Sequence, residues 1–161
     1  MYYYWGGNLD DCYPILMEPM DQNAKAIGYL IDRTQKRLKL SLTHRLQAAN
    51  IDLTVEQWVV LDCIHSQGKP TQNQIADLTF KDAPNISRIL GHLVAKKLIV
   101  RETDEKDRRR TNISLNEKGV ALFAQAFPVV QALREESWQH LNQKEYQTFV
   151  RILNQVFENL S

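Results

Sequence analysis

What most constrains this chain is the order of signals between Thr71 and Leu115: two short helical patterns split by a turn, then two β-rich runs split by a charged tip. Thr71 with Gln74 three residues on has the form of a capping box, which starts a helix. Ile75 and Leu78 mark the side this helix is expected to bury. Phe80 to Pro84 breaks the pattern. Asp82 is placed to cap the next helix, and Pro84 fits its first turn, where a missing N–H costs no bond. That second helix, predicted from about Pro84 to Lys97, repeats Ile86, Ile89, Leu90, Leu93 and Val94 at helical spacing. Leu98 to Arg101 and Thr111 to Leu115 then read as the arms of a hairpin whose tip runs from Glu102 to Arg110.

This is the layout of a helix-turn-helix followed by a wing, in which the second helix enters the major groove of DNA. Its polar side carries Asn85, Ser87, Arg88 and His92. Arg88 has the planar fork that pairs with both acceptors of guanine, and Asn85 and Ser87 beside it can donate and accept; His92 reads as rim or solvent. At the wing tip, Arg108, Arg109 and Arg110 place flat, permanent charge where a narrow minor groove attracts it. Asp107 is read as orienting Arg109 through a charge-assisted pair. Gln72 and Asn73, in the first turn of the preceding helix, suit phosphate oxygens and water equally well.

Charge agrees with a local basic face on a near-neutral body. The span from Lys81 to Arg110 holds nine basic and five acidic residues, leaving +4, while the whole chain carries only +1. A uniformly basic coat is therefore excluded. Two cysteines, Cys12 and Cys63, make no disulfide framework, and without a leader or long apolar run a reducing cytoplasm is the expected location. His44, His65, His92 and His140 have no ligand spacing, so neither metal nor cofactor is expected. Nothing resembles a P-loop, a nucleophile elbow or a pair of catalytic acids, and the chain reads as a non-enzyme.

The 161 residues fit one domain with an N-terminal arm over about 1–22. The arm is aromatic without period and interrupted by Pro14 and Pro19; it reads as flexible, as an upstream start-site artefact given Met17 and Met20, or as a segment that packs on a partner subunit. Asp21 to about Asn50 reads as one long helix with its apolar stripe at Ile27, Leu30, Ile31, Leu38, Leu42 and Leu46. Thr54 to Gln57 is a second capping box, opening a strongly apolar helix with Trp58, Val59, Leu61, Cys63 and Ile64. After the wing, Asn116 caps a helix that crosses Pro128, where a kink is expected, and a last helix from about Gln143 lines one face with Tyr146, Phe149, Ile152, Val156 and Phe157. The helices at the two ends carry more apolar face than a small wing domain can cover, which predicts a two-fold dimer.

From these residues the chain resembles the MarR family of winged-helix regulators. The stretches that carry the likeness are Leu53 to Leu61, Thr71 to Leu78, Ile86 to Ile99, and Asp107 to Arg109 followed by Ile113 to Gly119. The resemblance implies a mainly α fold with a small hairpin wing, the winged helix at about 52–116 and dimerisation helices at about 23–50 and 117–160. It also implies a homodimeric, ligand-responsive repressor of a pseudo-palindromic operator, with a small phenolic or aromatic effector and no membrane role. Two positions depart from the family pattern: Lys97 stands where glycine is usual, and Asn116 where threonine is usual. The alternatives are a winged-helix protein-interaction module without DNA binding, and a regulator switched by redox at Cys12 or by a metal.

Overall fold

Four helix starts expected from the sequence are closed by their own side chains in the computed structural model, which describes residues 27–103, 107, 108 and 110–160. The elements are α1 (Ile27–Ala48), α2 (Val55–Gln67), α3 (Gln72–Thr79), α4 (Ala83–Ala95), β1 (Ile99–Thr103), β2 (Thr111–Leu115), α5 (Glu117–Ser137) and α6 (Gln143–Glu158). Thr54 and Gln57 form a reciprocal capping box at α2, both hydrogen bonds at 3.2 Å. Thr71 and Gln74 do the same at α3, the Thr71 N–H donating to Gln74 Oε1 at 2.8 Å. Asp82 Oδ1 accepts the Asn85 N–H at 2.7 Å to open α4, and Asn116 Oδ1 accepts the Gly119 N–H at 2.9 Å to open α5. Each cap satisfies a donor that the helix leaves orphaned. The extension of the long first helix toward Asp21 lies outside the described residues, as do the arm and Cys12.

The described residues fall into two units divided between Arg37 and Leu38, within α1. In the first, Ile27 to Arg37 is exposed throughout, with Lys36 and Asp32 paired at 2.8 Å and the Arg33 guanidinium 5.7 Å from the Tyr29 ring centre. In the second, the core is drawn from every helix except α6. Its fully buried members include Leu46, Leu61, Ile64, Ile75, Ile86, Leu90, Leu93, Leu98 and Ile113. Each such side chain stabilises by about 1.5–3 kcal/mol on leaving water. α5 runs through Pro128 without ending there.

The hairpin pairs antiparallel from Ile99 opposite Leu115 to Thr103 opposite Thr111. Its β2 strand is also tied to the start of α3, through a bridge between Thr71 and Asn112 and the Ile113 N–H donating to Pro70 O at 2.9 Å. The base of the wing is thereby fixed to the helix-turn-helix. Some expectations need correction. Leu78, Val94 and Val59 are exposed, at 53%, 42% and 38%; Ala76 takes the inner place beside Ile75. A helical stripe is wider than the surface that meets it here, so its edge residues stay out. α4 stops at Ala95, and β1 runs on to Thr103.

Lys97 ends α4 in the left-handed region, with φ 57°. A side chain there costs about 1–2 kcal/mol, against which glycine loses about 0.5–1 kcal/mol of unfolded-state entropy. Lys97→Gly is expected to raise the unfolding free energy by about 0.5–1 kcal/mol, read as an upward shift in thermal midpoint. A downward shift would mean that the lysine side chain stabilises more than its backbone strains.

Candidate nucleic-acid interface

α4 presents one apolar and one polar side because Ile86, Ile89, Leu90 and Leu93 are all buried. On the other side Ser87 and Arg88 are exposed, and Asn85 is half-buried. Arg88 Nη2 donates to Asn85 Oδ1 at 3.1 Å. The helix therefore presents a guanidinium already engaged by its neighbour one turn back, not a freely waving arginine. His92 is exposed and lies further along the same helix.

A second part of the surface is a groove of about 440 Å³ between the start of α3 and the wing, lined by Thr71, Gln72, Asn73, Arg101, Arg110, Thr111 and Ile113. The capping box takes the N–H groups of Thr71 and Gln74, so those of Gln72 and Asn73 are the ones left at the positive end of the helix. Two arginines face that end across the groove. This concentrates positive potential in a concave place. Arg110 is set at the foot of the tip by its N–H donating to Asp107 O at 2.9 Å. It also lines an adjoining groove with Lys69, Gln74 and Asp77.

Thus Gln72, Asn73 and Arg110 come together, while Asn85, Ser87 and Arg88 stand on α4 outside that groove. Arg108 is exposed in the hairpin turn, and Arg109 lies outside the described residues together with the expected Asp107–Arg109 pair. Arg101 lines the same groove and was not among the residues expected there from the sequence. Strand alternation puts it on the face of Ile99, which is buried, and opposite the buried Ile113. Arg101 is itself exposed, and it lines the groove from that side of the hairpin.

The frame behind α4 is polar and tight. Lys96 Nζ donates to Asp52 O at 2.7 Å and to the buried Gln57 Oε1 at 3.2 Å, and pairs with Asp52 Oδ1 at 2.8 Å. Lys118 Nζ donates to Lys96 O at 2.9 Å. The C-terminal end of α4 is thus pinned to the start of α2 and to α5. Lys39 pairs with Glu56, and their hydrogen bond holds the Glu56 carboxyl below its ordinary range. Cys63 is partly buried against the core; burial, and then the charge of Asp62, pushes its thiol up. A thiol so placed is a poor thiolate and a poor peroxide sensor. Among the described residues no group of three or more His, Cys, Asp or Glu could hold a metal ion, and no helix is long and apolar enough to cross a membrane.

Comparison with known proteins agrees with this fold. Residues 51–110 match the family model described as MarR family. Over 133 residues the chain is 26% identical to the HTH-type transcriptional repressor NicR of Pseudomonas putida, covering 83% of each protein. Its structure is similar to that of MepR from S. aureus in complex with DNA, with a TM-score of 0.79, 27% identity and coverage of 86% of this chain and 99% of that one. It is also similar to an E. coli MarR variant complexed with operator DNA, with a TM-score of 0.74, 26% identity and coverage of 81% and 92%.

Proposed function

We propose that this chain, whose residues 51–110 match the MarR family model, is a sequence-specific DNA-binding transcriptional regulator, a homodimeric, ligand-responsive repressor of a pseudo-palindromic operator. One observation carries the reading: an exposed arginine held in place on a capped helix, beside a groove where two arginines meet a helix N-terminus. Arg88 reads a base edge from the major groove. Gln72, Asn73, Arg101 and Arg110 seat phosphate oxygens, which fix register without reading sequence. Ser87 supports the α4 contact, and Arg108 and Arg109 extend the wing into the minor groove.

The winged helix occupies about 52–116, and the helices at about 23–50 and 117–160 join two copies. α6 supports the dimer: it is strongly amphipathic and none of its residues is buried. Phe149, Ile152 and Phe157 are 43%, 47% and 52% exposed on one chain, an apolar row of the kind that a second subunit covers. A small phenolic or aromatic effector that favours a different spacing of the two lobes releases both half-sites together. The chain acts by binding and carries out no catalysis.

Selection of bound DNA from a random pool tests the proposal. The expected product is a palindrome with half-site centres one helical turn apart. Failure to enrich any sequence, with no salt-dependent affinity, would return the reading to a protein-interaction module. Arg101→Ala is expected to weaken binding to all sequences alike. It should flatten the dependence of log affinity on log salt by about 0.9 for each phosphate left without its cation, hence by about 1.8 for a dimer. An unchanged slope in fluorescence anisotropy titrations would remove Arg101 from the interface.

A further inference from the structure

We infer that Asn85 is a positioning residue: it holds the Arg88 guanidinium for a guanine and does not itself read a base. The inference rests on the DNA-binding reading above. Its basis is a chain of hydrogen bonds along the outer side of α4. Asp82 Oδ1 accepts the Asn85 backbone N–H at 2.7 Å, and Asn85 Oδ1 accepts from Arg88 Nη2 at 3.1 Å. The first bond fixes the backbone at Asn85 to the helix start. The second passes that fixation to the arginine head three residues on, on the same side of the helix. Asn85 is half-buried whereas Arg88 is exposed, so the anchor is the more constrained of the two.

Hydrogen-bond capacity permits this division of labour. A guanidinium has five N–H donors in one plane. One is spent on Asn85, and guanine O6 and N7 require only two more. For Asn85 the bond already made is the guide. An asparagine that reads adenine turns its amide oxygen to the N6 amino group of that base, and here that oxygen is engaged by Arg88. The oxygen has two lone pairs and can accept a second bond, so it is the standing Arg88 bond, not exhausted capacity, that assigns Asn85 to positioning. Arginine is rich in rotamers, so a hydrogen bond that selects one of them before DNA arrives improves discrimination more than it improves general affinity.

The experiment takes the sequence selected by the full-length protein and measures affinity for every single-base change in one half-site, for the wild type and for Asn85→Ala, Asn85→Asp and Arg88→Ala. Asn85→Ala is expected to lose about tenfold in preference for guanine, a part of what a bidentate pair supplies, at the same base pair that Arg88→Ala leaves unread. Added to Arg88→Ala, it should change nothing further at that base pair. Asn85→Asp keeps the accepting oxygen, so it should retain the preference while binding all sequences more weakly because of its charge near phosphates. A purely structural role would lower affinity without moving base preference, and thermal unfolding of each variant is followed in parallel. The inference is overturned if Asn85→Ala leaves the guanine preference intact, or if it removes preference at a different base pair, which would make Asn85 a reader. A wild type that enriches no sequence overturns the functional reading and this inference with it, and that outcome is distinct from the other two.

Discussion

Arg88→Ala is expected to erase most of the preference for operator over unrelated DNA while leaving the protein folded. The side chain is exposed and contributes nothing to the core, so its removal acts on binding alone. A bidentate arginine–guanine pair is worth about 1–3 kcal/mol of discrimination, and a dimer makes it twice, so the loss is about 2–6 kcal/mol. That corresponds to a fall of roughly 30-fold to 10⁴-fold in the ratio of operator to scrambled-sequence affinity. Binding to scrambled DNA should change far less, because the phosphate contacts proposed for the groove and the wing would supply it. Competition anisotropy at one fixed salt concentration measures both. If the two affinities fall by the same factor, Arg88 contacts phosphate and the recognition role belongs elsewhere on α4.

Gly119→Ala is expected to have the largest effect on stability. A Cβ at this position would stand 2.0 Å from the Leu98 carbonyl oxygen and 3.0 Å from its carbon. Both are backbone atoms, and Leu98 O already accepts the Asn116 N–H at 3.2 Å. No side chain can rotate away, so α5 must shift from the base of the wing or the Asn116 cap must open. Overpacking of this kind costs about 3 kcal/mol. For a chain of this size that lowers the thermal midpoint by about 6–12 °C. Gly91→Ala is the control: nothing lies within 4 Å of a Cβ there, and alanine in place of glycine in a helix should stabilise by about 0.5–1 kcal/mol. Equal midpoints for the two variants would show that the α5–wing junction yields easily.

Much of this architecture was legible residue by residue. The capping pairs Thr54–Gln57 and Thr71–Gln74 and the caps Asp82 and Asn116 all sit where short-range pattern placed them. These features depend on atoms within four or so residues. Leu78 and Val94 show the limit of the same reasoning: periodicity identifies an apolar stripe but not how far the neighbouring elements extend over it. The candidate site was legible in part. Asn85, Ser87 and Arg88 follow from the polar side of one helix, whereas Arg101 stands in a strand exposed beyond Ile99, and only the packing of the hairpin against α3 brings it to the groove.

The amino-acid sequence by itself determined where the capped helices begin, which runs pair as a hairpin and which side of each helix must leave water, since propensity, capping and hydrophobic period are properties of local chain. Tertiary structure alone decided that Arg101 and Arg110 share a groove with the start of α3, that Lys96 reaches Asp52 and the buried Gln57, and that Gly119 lies against the carbonyl of Leu98. Those pairings join residues distant in the chain, and only packing of the shared core brings them within reach.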